Sequence, residues 1–153
     1  MSSSLPLQIE LHAKEMALSR VELKFGPSAL TIHGELPEWL RASALAWIDC
    51  YLQRAALPDL PPLTYPPLSP FQARVMKAIQ AIPLGEVVSY GEIADAIGHP
   101  RAARAVGTVC RDNPFPLFIP CHRVVAANRS LCGFRFGTPL KQLLLDFEGV
   151  GTT

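Results

Sequence analysis

Cys121 and His122 stand side by side in the stretch Ile119-Pro120-Cys121-His122-Arg123-Val124. A thiolate is a competent nucleophile, and a neighbouring basic group raises its population. Adjacent side chains need not face each other, so a water is expected to relay the proton from thiol to imidazole. A carboxylate must then orient the imidazole, and Glu148 is the candidate. A Cys-His-acid set serves proteases and acyltransferases too, so these three residues alone do not select a reaction.

The remaining cysteines are Cys50, Cys110 and Cys132. No C-x-x-C pair and no zinc-type spacing with a histidine pair occurs, so no metal is expected. Met1 to Met16 lacks a cationic head followed by a long apolar stretch, and no apolar run is long enough for a membrane span. A reducing, cytoplasmic setting (nuclear in a eukaryote) is the expectation, in which a thiol stays free for chemistry.

Charge is uneven. Residues 1–66 hold five basic and seven acidic side chains, and residues 67–153 hold nine and six. The second part is the better suited to a polyanion. There, Ser89-Tyr90-Gly91-Glu92 forms a capping box, Ile93, Ala94 and Ile97 follow, and Gly98 stops the helix. Pro100 is expected to open the next helix, which runs to about Asp112. The pair reads as a helix-turn-helix. Arg101, Arg104 and Arg111 fall near one face of the second helix, with Val106, Val109 and Cys110 inward. Ala102, Ala103, Ala105 and Gly107 keep it slim enough to approach a narrow groove. An ordinary alanine-rich helix with solvated arginines fits this segment equally well.

These groups need a scaffold. Ser69-Pro70-Phe71-Gln72 caps a helix whose apolar stripe is Phe71, Val75, Ala78, Ile79 and Ile82. Thr138-Pro139 starts a last helix that buries Leu140, Leu143, Leu144 and Phe147. Near the start, Leu5, Leu7, Ile9 and Leu11 alternate with mostly polar neighbours. So do Val21, Leu23 and Phe25, then Leu30 and Ile32, which predicts an antiparallel sheet with one buried face. Leu40, Ala44, Trp47, Ile48 and Tyr51 recur at helical spacing between Pro37 and Leu52, and both Trp39 and Trp47 are expected in the core. His12 and His33 read as strand-surface or loop residues. Pro58, Pro61, Pro62, Pro66, Pro67 and Pro70 mark an extended connector. The expected division is an N-terminal domain over 1–57, a linker over 58–70 and a C-terminal domain over 71–153.

Ser89-Tyr90-Gly91-Glu92-Ile93-Ala94, Arg104-Ala105-Val106-Gly107, Asn113-Pro114 and Pro120-Cys121-His122-Arg123-Val124 together resemble the O6-alkylguanine-DNA alkyltransferases. Gly133, Gly137, Lys141, Leu144, Leu145, Glu148 and Gly149 continue the likeness. It covers about residues 66–150. The fold it implies is α+β: a ribonuclease-H-like sheet-plus-helix domain, then a helical domain of winged helix-turn-helix type.

The resemblance implies a single-turnover repair protein with no cofactor. It would move the alkyl group of O6-alkylguanine, and of O4-alkylthymine, in duplex DNA onto Cys121. The helix-turn-helix would sit in the minor groove, with Arg104 filling the gap left by a flipped nucleotide and Ala102, Ala103, Ala105, Gly107 and Arg111 along the DNA. O6 faces the major groove, so a minor-groove reader reaches it only by extruding the base. Tyr90 would help turn the nucleotide out and bond the guanine. Asn113 would brace the active-site turn, and the carbonyls of Cys121 and Val124 would accept from the guanine amino group. Phe134, Arg135, Phe136, Cys110 and Pro116 would line the base pocket. A monomer suffices.

Two departures stand out. Gly133-Phe134-Arg135-Phe136-Gly137 replaces the family's usual tyrosine, small residues and Gly-Gly, and is most like the C-terminal half of bacterial Ada. No cysteine precedes Cys50, so the N-terminal zinc site of some members is not expected. A damage binder that flips the base without reacting, and a Cys-His hydrolase that never meets DNA, are the other readings. The first leaves Cys121 without a purpose, and the second leaves Tyr90 and Arg104 without one.

Overall fold

The computed structural model describes residues 5–131 and 133–150. Cys132 lies outside the described residues. The chain divides into two compact units, Met1–Pro66 and Pro67–Thr153, and is mixed α+β.

In the first unit, strands β1 (Leu7–Lys14) and β2 (Ala17–Phe25) form an antiparallel hairpin. Alternation places Leu7, Ile9, Leu11, Val21 and Leu23 in the core. Strand β3 (Ala29–His33) pairs with the other edge of β1, and it does so in parallel. The sheet is therefore mixed, not antiparallel as the alternation predicts. Gly26–Ser28 carries the chain across the start of β1, with the Gly26 amide donating to the Pro6 carbonyl at 3.1 Å. That short crossing makes β1 the central strand. Phe25, at the end of β2, is exposed.

Helix α1 (Glu38–Leu52) buries Leu40, Ala44, Trp47, Ile48 and Tyr51, the five predicted positions. Trp39 is 51% exposed, because it lies outside that stripe. The proline-rich stretch is extended, and its middle is tied to β2. The Leu18 amide donates to Pro62 at 2.9 Å, and the Thr64 amide donates to Leu18 at 2.8 Å.

In the second unit, helix α2 (Pro70–Gln80) and helix α3 (Tyr90–Ala96) both begin in complete capping boxes. Ser69 with Gln72 and Ser89 with Glu92 bond reciprocally. Helix α4 (Ala103–Asp112) starts three residues later than its proline predicts. The Ala102 amide donates to the His99 carbonyl at 2.9 Å, so Pro100 occupies the second position of a β-turn. Proline's fixed φ suits that position as well as a first helical one. Arg101 is thereby outside the helix. Helix α5 (Thr138–Phe147) buries Leu140, Lys141, Leu144 and Leu145, while Leu143 and Phe147 are half-buried. Its inner face is rotated from the expected one, because Lys141 points inward.

Candidate active site

The segment between α4 and Cys121 is folded around one side chain. Asn113 is buried; its Nδ2 donates to the Ile119 carbonyl at 2.9 Å and its Oδ1 accepts from the Phe115 amide at 2.9 Å. Within this loop Leu117 is fully buried yet has φ of 77°, a left-handed conformation that costs a leucine roughly 1–3 kcal/mol. Pro120 then adopts φ −79° and ψ 64°, and the Cys121 amide donates back to the Ile119 carbonyl at 2.7 Å. This is an inverse γ-turn. It leads into a 3-10 turn over Cys121–Arg123 and a short strand β5 (Val124–Val125).

Strand β5 pairs in parallel with strand β4 (Val88–Ser89), matching Val88 to Val124 and Ser89 to Val125. Ser89 caps α3, and Tyr90 is that helix's first residue. A two-residue ladder thus fixes Tyr90 relative to Cys121. The Tyr90 ring lies 3.8 Å from where a Cβ on Gly107 would stand, and its hydroxyl lies 3.3 Å from the corresponding point on Gly133. Gly133 has φ of 72°, so a side chain there would be strained as well as crowded.

His122 is fully buried. Its Nε2 lies 2.6 Å from Glu148 Oε2. An ionised carboxylate only accepts, so Nε2 carries the proton and Nδ1 holds the lone pair. Among the described residues, Nδ1 is buried without a hydrogen-bond partner. The other oxygen of Glu148 accepts from Arg123 Nε at 2.7 Å, and Arg123 Nη1 donates to the Ile82 carbonyl at 2.8 Å. Burial alone would push the Glu148 carboxyl up, but the bonds from His122 and Arg123 outweigh it and hold it at about 2. Desolvation pushes His122 below the usual imidazole range against the pull of Glu148. Burial likewise raises the Cys121 thiol, opposed by a hydrogen bond to Asn113 and the positive charge of Lys141. The resting set is therefore a thiol, a neutral imidazole and a carboxylate. Burial also raises the thiol of Cys110, and the proximity of Cys121 adds to that shift.

Lys141 is the participant that sequence periodicity misses. It is buried in α5 among leucines, donates from Nζ to the Val124 carbonyl at 2.6 Å, and stands 5.8 Å from the centroid of the Tyr90 ring. A lysine on an apolar stripe was the available signal, since lysine is almost never fully buried unless paired. Arg123 was likewise visible only as a neighbour of the Cys-His pair.

Comparison with known proteins decides what this arrangement belongs to. The family model for the DNA-binding domain of 6-O-methylguanine DNA methyltransferase matches residues 70–150. The chain belongs to the 6-O-methylguanine DNA methyltransferase family. It is similar to methylated-DNA–protein-cysteine methyltransferases of Methanosarcina acetivorans, at 48% identity over 52% of this chain and 51% of that protein, and of Cricetulus griseus, at 37% over 86% and 66%. Its fold is like that of the Mycobacterium tuberculosis OGT solved in complex with DNA, with a TM-score of 0.74, 30% identity, and coverage of 93% of this chain and 92% of that one. The chain spans about half the length of several curated relatives it matches.

In this member of the methyltransferase family, Cys121, His122, Glu148 and Asn113 are all buried; Asn113 bonds to Cys121 and Glu148 to His122, while Tyr90 packs by Gly107 and Gly133. Ala102 ends the turn before α4. Arg104, Ala105 and Arg111 are exposed along that helix, Ala103 and Gly107 are half-buried, and Cys110 is turned inward. Pro116 is buried in the loop braced by Asn113. Phe134 and Phe136 pack edge to face at 5.8 Å, and the Arg135 guanidinium sits 5.4 Å from the Phe136 centroid. The carbonyls of Cys121 and Val124 each already accept one bond, from the Val124 amide and from Lys141. Each keeps a second lone pair.

Proposed function

We propose that this protein is a single-turnover DNA repair methyltransferase that moves the alkyl group of O6-alkylguanine, and of O4-alkylthymine, in duplex DNA onto Cys121. The observation that carries the reading is the buried pair next in sequence to that cysteine: an imidazole whose Nδ1 has no hydrogen-bond partner among the described residues and whose Nε2 is bonded to a carboxylate. A water between Cys121 and Nδ1 would carry the proton to His122, and Glu148 would stabilise the imidazolium that results. The thiolate then attacks the alkyl carbon, the C–O6 bond breaks, and guanine leaves with the electron pair. Tyr90, with Lys141 5.8 Å from its ring, would stabilise the negative charge that develops on the purine. The product is a thioether, which nothing in the site can hydrolyse, so each molecule acts once and needs no cofactor.

The half-exposed α3–α4 pair supports minor-groove binding with base extrusion. Arg104 is solvent-exposed on α4 and free to enter the stack, and Gly107 leaves Tyr90 room against the helix. The C-terminal unit is thus the DNA-binding and alkyl-acceptor domain. The protein would work as a monomer in the reducing cytoplasm, where Cys121 remains a thiol. The test is transfer of labelled methyl from O6-methylguanine duplex to wild type and to Cys121→Ala. Wild type should take up one equivalent, and the variant should bind the duplex and take up none. Uptake by the variant would contradict the assignment.

A further inference from the structure

The outer face of the N-terminal sheet gathers ligand-type side chains that the repair reaction does not use. His12 and His33 are direct partners across the parallel β1–β3 ladder. Their rings stack with centroids 4.5 Å apart and planes 11° from parallel. His33 Nε2 lies 3.1 Å from Glu10 Oε1, and His12 Nε2 lies 3.2 Å from Glu22 Oε1. One ligand atom each from Glu10, His12 and His33 lies within 4.8 Å of the others. We propose that Glu10, His12 and His33 form a binding site for a divalent transition cation of the zinc class.

Two imidazoles and a carboxylate suit zinc, nickel or copper far better than magnesium or calcium, which prefer all-oxygen sets. Zinc bonds of about 2.0–2.1 Å in a tetrahedron place ligand atoms roughly 3.3 Å apart. The two imidazole–carboxylate contacts already have that spacing; the stacked rings must tilt about their side-chain torsions so that their in-plane lone pairs converge on one cation. Lys24 holds Glu10 Oε2 at 3.0 Å, which leaves Oε1 turned to the histidines. An outer partner of this kind orients a ligand. Glu22 can supply a fourth ligand atom, a carboxylate oxygen. One neighbour works against binding: Arg20 Nη2 lies 3.3 Å from Nε2 and 3.4 Å from Nδ1 of His12. Its side chain is half exposed and can swing away. These residues differ in type from the cysteine-containing zinc set of some family members, which the sequence does not lead one to expect.

The experiment is calorimetric titration of chelator-stripped, full-length protein with zinc chloride. Wild type, Cys121→Ala, His33→Gln, the pair His12→Ala with His33→Ala, and Arg20→Ala are compared, with circular dichroism as the fold control. Wild type and Cys121→Ala should share one tight equivalent. His33→Gln should weaken it by at least about tenfold, the double variant should lose it, and Arg20→Ala should tighten it. His33 is half exposed, so its single variant keeps the test open if the double variant misfolds. Equal zinc binding by wild type and His33→Gln, or no binding by wild type, overturns the proposal.

Discussion

Glu148 is the residue on which the reactive centre depends twice. One oxygen fixes the His122 tautomer, and the other neutralises the buried Arg123 guanidinium. Removing one partner of a buried pair strands the other charge, so Glu148→Ala should destabilise the fold by about 3–5 kcal/mol and slow alkyl transfer. Urea unfolding and single-turnover labelling measure the two losses. The depressed Glu148 carboxyl also sets an acid limit. A group whose pKa is lower folded than unfolded stabilises above its unfolded value, and that contribution disappears as pH falls through the folded one. Acid unfolding should therefore develop between the ordinary carboxylate range and about pH 2. His122, in contrast, is held neutral by burial. Transfer should keep its rate below about pH 6.5, where a free histidine would be protonated; a pH–rate profile that falls at the ordinary imidazole value would contradict the buried-base account.

At the scale of elements, α4 and the loop after it divide the labour. Arg104→Ala should slow repair of duplex far more than reaction with a free O6-alkylguanine base, because only the duplex needs its gap filled. Matched losses on both substrates would remove Arg104 from that role. Asn113 acts on the loop, and Asn113→Ala removes its bonds to the Phe115 amide and the Ile119 carbonyl, the latter keeping the Cys121 amide; losing buried bonds of this kind costs about 1–3 kcal/mol. The same elements show what sequence can convey. Both capping boxes were legible because their bonds span three residues. The parallel placement of β3 was not, since alternation specifies a buried face and not a neighbour. Pro100 was ambiguous because a turn and a helix start ask the same φ of it. Lys141 was hidden by its own polarity, which periodicity assigns to solvent. The Cys121–His122–Glu148 set was legible as residue types, but the 2.6 Å contact and the unpartnered Nδ1 needed the fold.

For the molecule as a whole, the proposed repair rests on whether a damaged base can enter and react. Phe134, Arg135 and Phe136 stand where the family usually has a tyrosine and small residues, and if they line the base pocket, as the resemblance implies, their bulk should narrow the way in. Methyl adducts in duplex should react readily and free O6-benzylguanine slowly, as inactivation rates would register; equal rates would refute the pocket account. Duplex affinity should fall steeply with salt if basic side chains such as Arg104 and Arg111 meet phosphates. The central claim concerns one sulfur among several. After incubation with an excess of O6-methylguanine duplex, peptide mass spectrometry should find a single CH2 gained per molecule, on the peptide carrying Cys121. A methyl group found on Cys110 or Cys50 instead, or no gain in mass after full binding, would contradict it.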